Sequence, residues 1–136
     1  MIDGEYLNGK IWNGKGKDYG RFGRLIYEGE FLNGERNGNG KEYYSKGELK
    51  FEGAYLNGKK WDGKGYDKNN NIVYELKEGK GFVKEFDDKN NLIFEGEYLD
   101  GEKNGIGKEY NDKGKLIYKG EYLNGKKIID NNCNIY

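Results

Sequence analysis

Two carboxylate pairs are the residues of this chain best spaced for chemistry. Glu28 and Glu30, and again Glu95 and Glu97, stand two apart. On a strand each pair would share one face at roughly 7 Å, near the separation an inverting glycosidase keeps between its acid and its base. Against catalysis, the pair recurs within a repeated phrase, whereas a unique active site should break the repeat. The face carrying the pairs is read as solvated and neutralised by lysines. Nucleophiles are scarcer: Ser45 and Cys133 are the lone serine and cysteine, and the sequence has no histidine to activate either. The same count excludes a metal site built from His and Cys. Residues 67–71 and 87–91 lack the alternating acids and distal glutamate of a calcium loop and read as turns. The expectation is a chain without enzymatic activity, cofactor or metal.

The elements that must position these residues are set by repetition. Gly4-Glu5-Tyr6-Leu7-Asn8-Gly9 returns, with small changes, at Gly29, Gly53, Gly96 and Gly120, and the longest gap holds a degenerate copy at 74–95. A period of about 24 residues marks a repeat architecture, in which each unit buries its apolar face by stacking on its neighbours. Within one copy, 25–32 alternates as a strand with Tyr27, Gly29 and Phe31 on one face, and Asn33-Gly34 signals a type I′ hairpin turn. Each unit is therefore a β-hairpin, and the hairpins follow one another as a meander.

A Gly-x-Gly pair occupies every return strand: Gly14/Gly16, Gly38/Gly40, Gly63/Gly65, Gly79/Gly81 and Gly105/Gly107. Glycine inside a strand marks close approach of another group, and the neighbouring aromatics supply one, so rings are expected over bare glycine backbone. Simple alternation then puts Tyr43 and Tyr110 on the opposite face. Two explanations stay open: a bulge after the glycines, or a second thin apolar layer made with Leu32, Leu56, Leu99 and Leu123. Copies one and three also carry an inserted tryptophan, Trp12 and Trp61, and the copy at 74–95 has lost its Asn-Gly turn, putting Lys77-Glu78 near its tip.

Composition narrows the function classes. Hydrophobic residues are 34%, low for a globular domain, yet aromatics are 15%, which favours a thin folded sheet over a disordered chain. With 24 basic and 24 acidic residues interspersed, no basic patch announces nucleic-acid binding. No apolar run approaches the length of a membrane-spanning helix, and no leader pattern opens the sequence. A soluble, cytoplasmic protein is expected.

The pattern Tyr-Glu-Gly-Glu-Phe-x-Asn-Gly-x-x-x-Gly-x-Gly at 27–40, matched at 94–107 and 118–125, resembles the MORN repeat, and the longer unit with Gly-Lys-Glu-Tyr is closer to the MORN-variant type. The resemblance implies an all-β, single-layer, elongated antiparallel hairpin meander with a concave aromatic groove, and catalysis only in separate domains. The expected organisation is an array of five to six hairpins over 1–127 and a C-terminal tail over 128–136 acting as a cap. The expected function is a non-catalytic interaction or scaffold module. It would bind a protein partner through the groove or an array end, with Tyr6, Trp12, Phe31, Tyr55, Trp61, Tyr98 and Tyr122 making the contact. Three alternatives stand beside it: a toxin-neutralising immunity protein, a module binding membrane phospholipid, and a carbohydrate-binding surface. Self-association through the open ends is a further expectation.

Overall fold

The computed structural model describes the backbone of residues 3–7 and 10–129 and the side chains of 12–129. The ring of Tyr6, the first Asn8-Gly9 turn, Cys133 and most of the expected cap lie outside the described residues. Among the described residues twelve strands follow one another: β1 (Asp3–Leu7), β2 (Lys10–Tyr19), β3 (Leu25–Leu32), β4 (Glu35–Tyr43), β5 (Leu49–Leu56), β6 (Lys59–Tyr66), β7 (Ile72–Leu76), β8 (Gly81–Phe86), β9 (Leu92–Leu99), β10 (Glu102–Tyr110), β11 (Leu116–Leu123) and β12 (Lys126–Lys127). Strands β1 to β7 form one antiparallel sheet and β8 to β12 a second, each in sequence order. The fold is the all-β hairpin meander read from the repeats.

The turns explain why the hairpins form. Asn33-Gly34, Asn57-Gly58, Asp100-Gly101 and Asn124-Gly125 all take positive φ at both positions, as a type I′ turn requires. The degenerate copy keeps this geometry with different residues: Glu78 (φ 51°) and Gly79 (φ 77°) form its tip. The turn expected to be lost is therefore present one residue further on, and an isolated bridge between Lys77 and Lys80 joins β7 to β8 across the break between the sheets. Successive turns are tied together. Oδ1 of Asn13, Asn37 and Asp62 accepts the backbone N–H of Asn33, Asn57 and Glu78, each at 2.9 Å. At the other edge, Asp67 and Asp87 each accept two backbone N–H groups two and four residues on, closing side-chain-capped turns.

The sheet coils along its length. Arg24 Nη1 lies 4.0 Å from Asp88 Oδ2, and Ser45 N donates to Asp88 Oδ1 at 3.0 Å. In a flat sheet the turns holding Arg24 and Asp88 would be six strand steps, roughly 29 Å, apart. Coiling brings one set of turns together.

The core is a single layer of rings on one face. Tyr27, Phe31, Phe51, Tyr55, Tyr74, Leu76 and Val83 form one buried cluster. Neighbouring rings meet edge to face, with Tyr27–Tyr55 at 5.1 Å and Phe51–Tyr55 at 5.5 Å between centroids, while Phe94–Tyr122 at 5.5 Å repeats the arrangement in the second sheet. The parity question resolves without a second apolar layer. Tyr43 and Tyr110 do face away from the rings, but their hydroxyls donate to Glu28 at 2.5 Å and Glu95 at 2.6 Å. The four leucines beside them remain exposed.

The glycine pairs divide into two roles, which corrects the expectation that every one of them lies under a ring. A Cβ on Gly40, Gly65 or Gly107 would collide with the ring of Tyr27, Tyr74 or Tyr122. Gly38 and Gly105 instead sit in bulges at φ 95° and 90°, where a Cβ would meet the carboxylates of Glu30 and Glu97. Gly79 is a turn glycine against Trp61, and Gly81 faces the carbonyl of Glu75.

Candidate functional site

What covers a single layer of rings is a ladder of charges supplied by the repeat itself. In four of the copies the second residue after the turn glycine is basic: Arg36, Lys60, Lys103 and Lys127. A two-residue hairpin places it opposite the ring that precedes the turn, as in the pairs Phe31–Arg36, Tyr55–Lys60, Tyr98–Lys103 and Tyr122–Lys127. Each cation then lies over a ring: Arg36 is 4.3 Å from the Tyr27 centroid, Lys60 5.1 Å from Phe51, Lys103 4.1 Å from Phe94 and Lys127 4.7 Å from Tyr118. Such contacts contribute about 0.5–2 kcal/mol each, more as they lose water.

Acids complete the ladder. Glu42 and Glu109, from the Gly-Lys-Glu of their return strands, and Glu85 of β8 point to the same face. They accept the hydroxyls of Tyr55 (3.1 Å), Tyr122 (2.7 Å) and Tyr98 (2.8 Å). The same carboxylates hold the cations, with Glu42–Arg36 at 3.1 Å, Glu42–Lys60 at 3.7 Å, Glu85–Lys103 at 3.8 Å and Glu109–Lys127 at 2.9 Å. The pattern is self-consistent where the sequence varies. In the degenerate copy the second ring is Leu76, which has no hydroxyl, and the preceding strand carries Gly65 in place of the acid. Phe31 also lacks a hydroxyl, and Asp18 of the preceding strand turns to Arg36 at 3.3 Å instead.

Burial and charge act together on these groups. Burial alone would raise the Glu42 carboxyl, but Lys60, Lys50 and Arg36 outweigh it and hold the group below the usual carboxylate range. Burial pushes the Tyr27 hydroxyl up to about 12 and raises Tyr55 and Tyr98 further, reinforced by Glu42 and Glu85. Burial would lower the Lys60 ammonium, but Tyr74 and Glu42 overcome it and keep the group above its ordinary value. The carboxyls of Glu109, Asp67, Asp87 and Asp88 are lowered as well.

A pH prediction follows from these directions. Lowered carboxyls contribute stability that is present above their unfolded values and lost as pH falls through the folded ones. Raised tyrosines and Lys60 contribute stability that is present below their unfolded values and lost as pH rises through the folded ones. Stability should therefore be level from about pH 5 to about pH 9 and fall on both sides. Urea unfolding followed by tryptophan fluorescence across pH checks this, and a stability rising continuously from pH 4 toward pH 2 would contradict the ladder.

The residues expected to touch a partner occupy different places. Phe31, Tyr55 and Tyr122 are interior, 7%, 3% and 3% exposed, and Tyr98 is half-buried with its hydroxyl on Glu85. The aromatic face is thus a covered core rather than an open groove, because the ladder lies over it. Trp12 is 37% exposed and rests on the turn at Gly34, and the half-buried Trp61 rests on the turn at Gly79, so each tryptophan wedges between successive hairpins. The carboxylate pairs have structural partners: Glu28 and Glu95 hold Tyr43 and Tyr110, while Glu30 and Glu97 accept the N–H of Asn39 and Ile106 in the bulges. Among the described residues no cluster of His, Cys, Asp and Glu could hold a metal ion. The basic rungs escaped the sequence reading although hairpin pairing alone places them beside the rings.

The face opposite the rings carries its own charge pattern. Lys17, Glu28, Lys41, Glu52, Lys64 and Glu75 stand directly opposite one another from β2 to β7, and Lys84, Glu95 and Lys108 continue the alternation from β8 to β10. Among the described residues like charges meet at Lys108–Lys119 and at the Lys77–Lys80 bridge. Beside this row, nearer the turns, Leu32, Leu56, Leu99 and Leu123 are each 39–53% exposed, joined by Phe82 and Ile106.

No curated protein matches the chain. The MORN repeat family model matches residues 27–48 and 94–115. Each matched segment holds one whole unit of the ladder: two rings, turn, base, bulge glycine and acid. MORN repeats are binding modules for proteins or membrane lipids. Sequence match, hairpin geometry and repeated ladder agree, and the two matched segments are MORN repeats.

Proposed function

We propose that the chain is a non-catalytic module that docks a protein partner on the face opposite the rings. The observation that supports this reading is the row of Leu32, Leu56, Phe82, Leu99, Ile106 and Leu123. All six are exposed, share that face, and have no second layer of the fold over them. Single exposed apolar side chains are ordinary, but a periodic set on one face is the pattern of an interaction surface. The neighbouring charges favour a protein over an anionic bilayer. Lysine and glutamate alternate strand by strand, so this face lacks the basic cluster that acidic lipid headgroups select. Of the rings first expected to make contact, Trp12 remains exposed, beside the Gly34 turn.

The test is capture of a partner from the native host by the full chain, followed by titration of the purified complex. Leu56→Glu and Leu99→Glu should each weaken it by about 2 kcal/mol, as central hot-spot changes do. Their thermal stability should stay within about 0.5 kcal/mol of the parent, because both positions lie outside the core. A complex indifferent to both variants, or co-sedimentation with liposomes containing acidic phosphoinositides, would overturn the reading.

A further inference from the structure

The ladder lacks one acid, on β6, and between the flanking acids Glu42 and Glu85 lies a cavity of about 290 Å³, lined also by Lys50, Lys60, Tyr74 and Tyr98 among others. Acids face the rings from β2 (Asp18), β4 (Glu42), β8 (Glu85) and β10 (Glu109). On β6 the register differs. The extra residue Trp61 bulges between Lys60 and Asp62, so Gly63 pairs with Gly53 and Gly65 lands opposite Phe51, where β4 has Glu42. No side chain can be added at Gly65, since the Tyr74 ring occupies that space. The acid of this rung is absent by construction, its place taken by the Tyr74 ring.

Two features of its surroundings are left uncompensated. Arg36, Lys50 and Lys60 all converge on Glu42, at 3.1, 3.9 and 3.7 Å, and only Arg36 has a second acid, Asp18. Three cations and two carboxylates leave one positive charge in excess. Elsewhere the accounts balance: Glu85 is matched by Lys103, and Lys59 by Glu102. Tyr74 is also unlike its counterparts. Tyr27 and Tyr118, the first rings of their copies, donate their hydroxyls to the backbone carbonyls of Glu30 and Glu121, whereas the Tyr74 hydroxyl accepts from Lys60 Nζ at 3.3 Å. Its own hydrogen is left to be donated.

We propose that this cavity binds a small carboxylate anion, which accepts from Lys60 Nζ and the Tyr74 hydroxyl as Glu42 does from its lysines and Tyr55. One excess positive charge suits a monoanionic group. A phosphate dianion would overcompensate beside Glu42 and Glu85. The site requires no protein partner, so its failure leaves the docking surface untouched, and failure of docking leaves this site standing.

The experiment titrates the ¹⁵N-labelled full chain with acetate, butyrate and inorganic phosphate, at ionic strength held constant with chloride. Acetate and butyrate should produce saturable shifts at β6 and β8 amides and raise the melting temperature by mass action. Tyr74→Phe, which keeps the ring and removes the donor, should weaken binding about tenfold, as should Lys60→Gln. Lys127→Gln, at a rung already matched by Glu109, should bind as the parent does. The proposal is overturned if the carboxylates act no differently from chloride, if phosphate binds more tightly, or if Tyr74→Phe binds them unchanged.

Discussion

Gly65→Val should destabilise the fold by about 3 kcal/mol or more, the upper range for overpacking a core. The first added carbon would fall inside the envelope of the Tyr74 ring. That ring has little freedom to move aside. It is 9% exposed, stacked on Phe51 at 6.2 Å with 20° between planes, and held at its hydroxyl by Lys60. Gly65 is also paired with both Phe51 and Tyr74, so a shift of β6 would disturb two hairpins at once. Damage in a repeat array is felt mainly by adjacent units, so amide exchange should rise first in β5 to β7. Gly114→Ala is the control. Its positive φ of 79° strains any side chain, and nothing lies within 4 Å of an added Cβ, so backbone strain alone should cost about 1 kcal/mol. Equal urea midpoints for the two variants would refute ring-over-glycine packing as the reason this glycine is needed.

Asn33-Gly34 and its relatives announced the hairpins because a type I′ turn demands positive φ twice, and that requirement is local. Glu78-Gly79 did not announce itself, since glutamate rarely accepts φ near 51°; the pairing of Lys77 with Lys80 holds it there. The glycine pairs were legible as close approaches but not as two kinds. Gly38 and Gly40 look alike in sequence, and only the bulge between Arg36 and Gly40 turns one toward Glu30 and the other toward Tyr27. The ring layer was legible from period-two alternation. Its cover was not, because Arg36 and Lys60 read as ordinary surface charges until strand pairing sets them over aromatic faces. An array one layer thick has no second sheet to dry its core, so long side chains with apolar stems must do so. This is why the expected contact rings Phe31, Tyr55 and Tyr122 are interior, and why the accessible surface passes to the leucines on the other face.

Glu42→Gln should be the most damaging change that alters no volume, costing about 3 kcal/mol, in the range for removing one member of a buried ionic cluster. The Glu42 side chain is 14% exposed and is the one carboxylate shared by Arg36, Lys50 and Lys60, while also accepting the Tyr55 hydroxyl. An amide would keep the shape and lose the charge, leaving Lys60, 21% exposed over Phe51, without its counter-ion. Glu52→Gln is the contrast: a 50% exposed carboxylate 3.9 Å from Lys41, worth no more than about 0.5 kcal/mol. The effect should also carry a pH signature. Because Glu42 is lowered by its cations, part of the acid loss of stability belongs to it, and the variant should lose less on going from pH 7 to pH 3 than the parent does. The degenerate copy suggests how the loss can be repaired. There acid, hydroxyl and base have disappeared together, as Gly65, Leu76 and Gly81. Removing the whole unit by Glu42→Leu with Tyr55→Phe and Lys60→Met should accordingly destabilise less than Glu42→Gln alone, since the best-buried cation and the Tyr55 hydroxyl go with the acid, Arg36 keeps Asp18 and Lys50 is 35% exposed. Urea denaturation of the parent and the three variants decides the matter. If Glu42→Gln unfolds at the parental midpoint, the ladder is surface decoration and the rings are held by their own packing.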